Sequence, residues 1–100
     1  MPRRSDIYEA VRRIIHYPGI AREEFRIAYR HRVEGVGERI VEIQLGSVER
    51  VDKWAIHLKS GDSIPLHRVV EIRDCKGRPV WRRGLGWGVD LSKYRRTAEE

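Results

Sequence analysis

The stretch IPLHRVVEIRDCKGRPVWRR, residues 64–83, contains the pattern that decides the fold. Its apolar runs flank the turn sequence DCKGRP, which predicts two antiparallel strands joined by a tight connection. Pro65 indicates a strand start or a sheet edge, because proline has no N–H to donate to a neighbouring strand. Arginine and histidine fill many of the other strand positions. The hairpin therefore combines a sheet-forming pattern with a candidate anion-binding surface.

A helix is predicted near the N-terminus, at residues 5–16. Ile7, Val11 and Ile14 recur at the spacing of one helical face. Ser5 is a favourable N-cap, and Pro18-Gly19 marks the end of the helix. Residues 1–4 are expected to form a basic arm.

Strands are predicted on both sides of the central stretch. FRIAYRHR, residues 25–32, alternates apolar and basic residues, which is typical of a half-buried strand. Further strand candidates are RIVEIQL at 39–45, SVERV at 47–51 and WAIHLK at 54–59, with Trp54 predicted to face the core. The predicted fold class is α+β, with one N-terminal helix followed by about five short strands in a mainly antiparallel, curved sheet. Residues 1–83 are predicted to form a single domain and residues 84–100 a partly ordered, Gly-rich and basic tail.

The charge of the chain favours an anionic partner. The 100 residues carry a net charge of +6, with a pI near 10.0, and arginine supplies 17 of the 21 basic residues. Arginine binds phosphate with a planar fork that lysine lacks. A single cysteine excludes an intramolecular disulfide and a cysteine-based zinc site, and we predict no metal or cofactor. No apolar run is long enough for a membrane span and the N-terminus lacks a signal-peptide pattern, so we expect a cytoplasmic protein without a membrane partner.

Basic strand faces are the first candidate site. The phosphate-binding candidates on them are Arg32, Arg68, Arg73, Arg82 and Arg83, and Arg26 and Arg30 extend the same strand face. Like charges gathered on neighbouring strands destabilise a sheet, and a bound phosphate would relieve them. The alternative is local neutralisation by glutamates, among them Glu42 and Glu71.

Histidines and aromatics leave several alternatives open. His31-Arg32 and His67-Arg68 repeat a His-Arg pair on two predicted strands. The two imidazoles are interpreted as an acid–base pair, as hydrogen-bond donors to a phosphate, or as ordinary half-buried residues. Trp81 either stacks on a base or packs in the core, and Tyr29 is a second stacking candidate.

FRIAYRHR, followed by GDSIPLHRVVEIRDCKGRPVWRR, closely resembles the RNA cyclic-group end-recognition domain, a family of small archaeal proteins that also occurs fused to eukaryotic RNA-processing domains. The resemblance covers about residues 6–83. It implies binding of RNA ends carrying a 2′,3′-cyclic phosphate. The positions that it implicates are His31, Arg32, His67, Arg68, Arg73, Trp81 and Arg82.

Three hypotheses of function follow from these residues. The first is a non-catalytic RNA-binding module for RNA processing or repair. The second is a factor that associates with the ribosome or with RNA-processing proteins. The third is a metal-independent ribonuclease or cyclic phosphodiesterase that uses His31 and His67.

Overall fold

The computed structural model describes residues 6–94. The predicted basic arm at residues 1–4, the N-cap Ser5 and residues 95–100 of the predicted tail lie outside the described residues. Helix α1 spans Asp6–Ile15, close to its predicted bounds. The helices within residues 6–94 are too short or too polar to cross a lipid bilayer.

Antiparallel strands make up two sheets. The strands are β1 (Phe25–Val33), β2 (Gly37–Gln44), β3 (Val48–Val51), β4 (Ala55–Leu58), β5 (Ser63–Pro65), β6 (Val69–Asp74), β7 (Pro79–Arg82) and β8 (Gly86–Trp87). One sheet has the order β2-β1-β6-β7-β8 and the other β3-β4-β5. The predicted α+β class and antiparallel pairing are confirmed. The prediction of a single sheet was wrong, because β3, β4 and β5 pair with one another and not with the other five strands.

Two 3-10 turns carry the chain between the sheets. Leu45–Ser47 leads from β2 into β3, and Leu66–Arg68 leads from β5 into β6. The predicted strand that ran through His67 and Arg68 is therefore interrupted. Both turns bury a leucine, Leu45 at 0% and Leu66 at 4% exposure, so the crossings are anchored in the core.

The core lies between α1 and the two sheets. Ile7, Val11 and Ile14 of α1 are at most 1% exposed, as their spacing predicted. They belong to one cluster of buried residues with Phe25, Ile27, Val48, Ile56, Ile64, Val69, Ile72, Val80 and Trp81. A helix of ten residues is marginal alone, so its stability comes from this apolar face.

A bulge changes which residues of β6 face the core. Ala28 pairs with Glu71 but its neighbour Tyr29 pairs with Val69, so Val70 is an extra residue between the two pairs. Val69 and Ile72 are fully buried, whereas Val70 is half-buried. The alternation in HRVVEIR, residues 67–73, predicts Val70 and Ile72 on one face of the strand, and this was wrong because the bulge shifts the alternation by one residue.

The core assignment of Trp54 was also wrong. The side chain is 74% exposed, although Ile56, two residues later, is fully buried. β4 begins only at Ala55, and Trp54 lies in the turn that follows β3, where the Asp52 N–H donates to the Ala55 carbonyl at 3.0 Å. Trp54 therefore lies outside the strand alternation that places Ile56 in the core.

Residues 84–94, the first part of the predicted tail, pack on the domain. β8 pairs with β7, and Leu91 is 3% exposed. The hydroxyl of Tyr94 donates to Oδ2 of the buried Asp74 at 2.9 Å, and its ring lies edge-on to Phe25 at 5.1 Å.

Candidate anion-binding cleft

A cleft of about 470 Å³ lies between the end of β1 and the β4–β5 hairpin. We call it the β1–β5 cleft. The described residues that line it are Tyr29, Arg30, His31, Arg32, Leu58, Asp62, Ser63, Ile64, Pro65 and Arg68. Its volume suits a phosphate group with part of a sugar, and its walls come from both sheets.

The cleft exists because β6 is shorter than β1 on this side. β6 starts at Val69, which pairs with Tyr29, and β1 continues to Val33 with β2 as its strand partner. The last residues of β1 thus extend beyond β6 towards the β4–β5 hairpin. The 3-10 turn Leu66–Arg68 closes the gap and brings Arg68 beside them.

Positive charge dominates this cleft. Arg30, Arg32 and Arg68 supply guanidinium groups, and Asp62 supplies a carboxylate. Within residues 6–94, none of the three arginines forms an ion pair. Three unneutralised cations on one concave surface repel one another, and a bound anion relieves that repulsion.

Backbone contacts hold Arg68 in place. Its Nη1 donates to the Arg30 carbonyl at 3.5 Å, across the mouth of the gap between the strands. Arg83 fixes the turn that carries it, since Arg83 donates from Nε to the Val69 carbonyl at 2.7 Å and from Nη2 to the Leu66 carbonyl at 2.6 Å. Arg83 was predicted to bind phosphate. In the structure its guanidinium positions the turn instead.

Arg73 and Arg82 belong to a charge network on the outer face of the five-stranded sheet. Arg73 binds both Glu71 and Glu42, and Arg82 lies 3.3 Å from Glu71. The hydrogen bonds from Glu71 and Glu42 raise the pKa of Arg73. For these two predicted phosphate ligands, local neutralisation by glutamate is the alternative that matches the geometry.

The two histidines do not share the cleft lining. His31 lines the β1–β5 cleft, with its ring 6.3 Å from that of Tyr29. His67 is exposed in the 3-10 turn and is not part of the lining. An acid–base pair needs both imidazoles at the reacting phosphate, and the lining of this cleft includes one of the two, His31.

The two predicted stacking residues differ in accessibility. Trp81 is 2% exposed and faces the core, opposite Ile72 and Trp87, so neither face of its ring is open to a base. Tyr29 is half-buried and lines the cleft. Of the nine predicted site residues, the cleft thus contains Tyr29, His31, Arg32 and Arg68.

Sequence reasoning left two charged cleft residues, Arg30 and Asp62, out of the predicted site. Arg30 was named only as part of a basic strand face, although its alternation with Arg32 places both on the same side of β1. The sequence SGD, residues 60–62, predicts a hairpin turn at Asp62, but no local pattern shows that this turn faces β1.

A larger cleft, of about 730 Å³, lies between α1 and β8 and includes Arg12, Arg13 and Trp87. The Arg13 guanidinium lies 5.5 Å from the centre of the Trp87 ring, and Arg12 donates to the Tyr8 hydroxyl at 3.3 Å. Glu9 adds an acid to the lining. The smaller β1–β5 cleft, with three arginines in its lining instead of two, is therefore the stronger candidate for an anion site.

The fold and the β1–β5 cleft define a small, basic α+β domain with an arginine-lined cleft. The chain belongs to the MJ1316 RNA cyclic group end recognition domain family, whose family model matches residues 4–83. This finding confirms the resemblance read from the sequence. A UPF0248 protein of Aeropyrum pernix is 67% identical over 97 residues, which is 97% of either chain. A UPF0248 protein of Metallosphaera sedula is 48% identical over 44 residues, 44% of this chain and 55% of the relative. No solved structure matches the chain.

Proposed function

We propose that this domain binds the end of an RNA strand and holds its terminal 2′,3′-cyclic phosphate in the β1–β5 cleft, without catalysis. The observation that carries the proposal is that three arginines, Arg30, Arg32 and Arg68, line one cleft and form no ion pair with any other residue of 6–94. The name of the family, RNA cyclic group end recognition, supports the same class of ligand.

Each cleft side chain has a role that its chemistry suits. Arg32 and Arg68 bind the non-bridging phosphate oxygens through paired N–H groups. His31 donates a hydrogen bond to the phosphate or to the ribose. Tyr29, next to His31, forms the half-buried wall against the sugar. Without His67 in the lining, the cleft binds the cyclic phosphate without a second imidazole to hydrolyse it.

Discrimination between RNA ends requires more than positive charge. A 2′,3′-cyclic phosphate carries one negative charge, whereas an open terminal phosphate carries up to two. Arginines alone would therefore prefer the open form. Asp62 is the carboxylate on the cleft wall, and it repels a dianion more strongly than a monoanion. Asp62 thus weakens the preference of the three arginines for the open form, and the shape of the cleft supplies the rest of the discrimination.

Binding of fluorescently labelled, single-stranded RNA tests the proposal. Three versions of one oligonucleotide, ending in a cyclic phosphate, an open phosphate or a hydroxyl, are titrated with the protein and followed by anisotropy. We expect the tightest binding for the cyclic end. Arg32→Ala and Arg68→Ala should each weaken binding about tenfold and reduce the salt slope of log K by roughly one. The RNA should be recovered intact.

Arg78→Ala is the matched control for these variants. It removes the same charge, but Arg78 is 70% exposed and pairs with Asp74, at the opposite end of β1 from the cleft. Binding by Arg78→Ala should stay close to wild type. Equal losses for Arg32→Ala and Arg78→Ala, or equal affinity for all three RNA ends, would contradict the proposal.

Asp62→Asn tests the origin of end discrimination. Two unit charges roughly 6 Å apart in water interact with about 0.7 kcal/mol, so the Asp62 carboxylate disfavours the dianion by about this much relative to the monoanion. The variant should therefore shift the preference towards the open phosphate by about threefold. An unchanged ratio would mean that the shape of the cleft alone discriminates.

A further inference from the structure

Trp54 is the tryptophan that the domain exposes to solvent. Its side chain is 74% exposed, whereas Trp81 is 2% exposed and Trp87 is half-buried. An exposed indole does not gain the free energy of burying its large apolar surface. Core packing therefore does not explain why a tryptophan stands at this position.

The backbone around Trp54 is held on both sides. Oδ1 of Asp52 accepts hydrogen bonds from the N–H groups of Trp54 and Ala55, each at 2.8 Å, and Oδ2 of Asp52 lies 2.8 Å from Nε2 of His57. The Trp54 carbonyl accepts from the N–H of Leu66 at 3.0 Å. The indole therefore projects from an ordered turn, and a ligand that stacks on it orders little further chain.

The turn that carries Trp54 contains a lysine and is bonded to the Leu66–Arg68 turn at the edge of the β1–β5 cleft. Its partner Leu66 follows Pro65, a cleft residue, and is the first residue of the turn that carries Arg68. Nζ of Lys53 lies 5.8 Å from the centre of the Trp54 ring. An aromatic ring beside an ammonium group suits a nucleotide, because the ring stacks on the base and the cation binds a phosphate.

We propose that Trp54 stacks on a base of the RNA strand whose terminal phosphate occupies the β1–β5 cleft. The inference rests on the proposed function and adds that the ligand is an unpaired RNA end, since a base inside a duplex has no free face for the indole. Lys53 binds a phosphate of the same strand. In this proposal the exposed Trp54 has the base-stacking role that the sequence suggested for Trp81, which is buried.

Two substitutions at Trp54 separate stacking from other roles. Trp54→Ala should weaken binding of single-stranded, cyclic-ended RNA about tenfold. Trp54→Phe should retain most of the affinity, because phenylalanine also offers a ring face. Leu85→Ala is the matched control, since Leu85 is likewise 74% exposed in a turn. A blunt duplex with the same cyclic end should bind the wild type more weakly and should be insensitive to Trp54→Ala.

Tryptophan fluorescence gives an independent readout. RNA should quench the emission of the wild-type protein, and Trp54→Phe should lose this quenching while it still binds. If Trp54→Ala binds as Leu85→Ala does while Arg32→Ala loses affinity, the stacking inference is wrong and the cleft proposal stands. If the wild type binds no RNA, or binds it independently of Arg32, both proposals are overturned.

Discussion

Arg82 and Arg83 are adjacent arginines whose replacement by alanine should have very different effects on stability. Arg83 donates two charge-assisted hydrogen bonds to the carbonyls of Leu66 and Val69, at 2.6 and 2.7 Å. Arg82 is 56% exposed and contacts one carboxylate, that of Glu71, at 3.3 Å. We predict that Arg83→Ala destabilises the domain severely and that Arg82→Ala does not.

The size of the Arg83 effect follows from its two bonds. A hydrogen bond to a charged group contributes about 1.5–3 kcal/mol, and the freed carbonyls regain part of this from water. We therefore expect Arg83→Ala to lower the free energy of unfolding by about 2–3 kcal/mol. For a domain of this size that corresponds to a fall in Tm of roughly 10–20 °C. An exposed ion pair such as that of Arg82 contributes about 0–1 kcal/mol.

Urea unfolding followed by circular dichroism measures both values. Arg83→Lys should have an intermediate effect on stability, because one ammonium group cannot replace a guanidinium fork that reaches two carbonyls. Its loss should fall between those of the wild type and of Arg83→Ala. If Arg83→Ala costs less than about 1 kcal/mol, or no more than Arg82→Ala, the two carbonyl bonds do not hold the Leu66–Arg68 turn.

Two further predictions concern carboxylates. The hydrogen bond from His57, followed by those from the N–H groups of Trp54 and Ala55, holds the pKa of Asp52 well below its ordinary value of 3.8. This carboxylate therefore stabilises the fold above about pH 4 and loses that effect as the pH falls further. In urea titrations across pH, the stability gap between wild type and Asp52→Asn should narrow in acid, and a constant gap would contradict this. Tyr94→Phe removes the bond to Asp74 and should cost about 1.5 kcal/mol. No loss of stability in that variant would show that Tyr94 does not hold residues 91–94 on the domain.

Local patterns were sufficient for the secondary structure. The apolar spacing of Ile7, Val11 and Ile14 predicted α1 and its buried face, and the alternation in FRIAYRHR predicted β1. The DCKG turn was also predicted correctly, since Asp74 accepts from the N–H groups of Lys76 and Arg78, both at 2.9 Å. These features depend on residues within a few positions of one another.

The errors in the predicted structure arose where the pairing of distant strands decides the local geometry. The bulge at Val70 and the crossing at Leu66–Arg68 depend on pairing partners about forty residues apart, which no local pattern specifies. The assignment of Trp54 to the core failed for the same reason, because its distance from the core depends on where the three-stranded sheet lies.

The sequence by itself determined the α+β class, the positions of α1 and most strands, the family and the abundance of arginine. Only the tertiary structure decided which arginines are available. Arg73 and Arg82 lie beside glutamates, Arg83 is bound to backbone carbonyls, and Arg30, Arg32 and Arg68 face an open cleft. The physical reason is that charge is a property of a residue, whereas neutralisation depends on the register of strands distant in sequence.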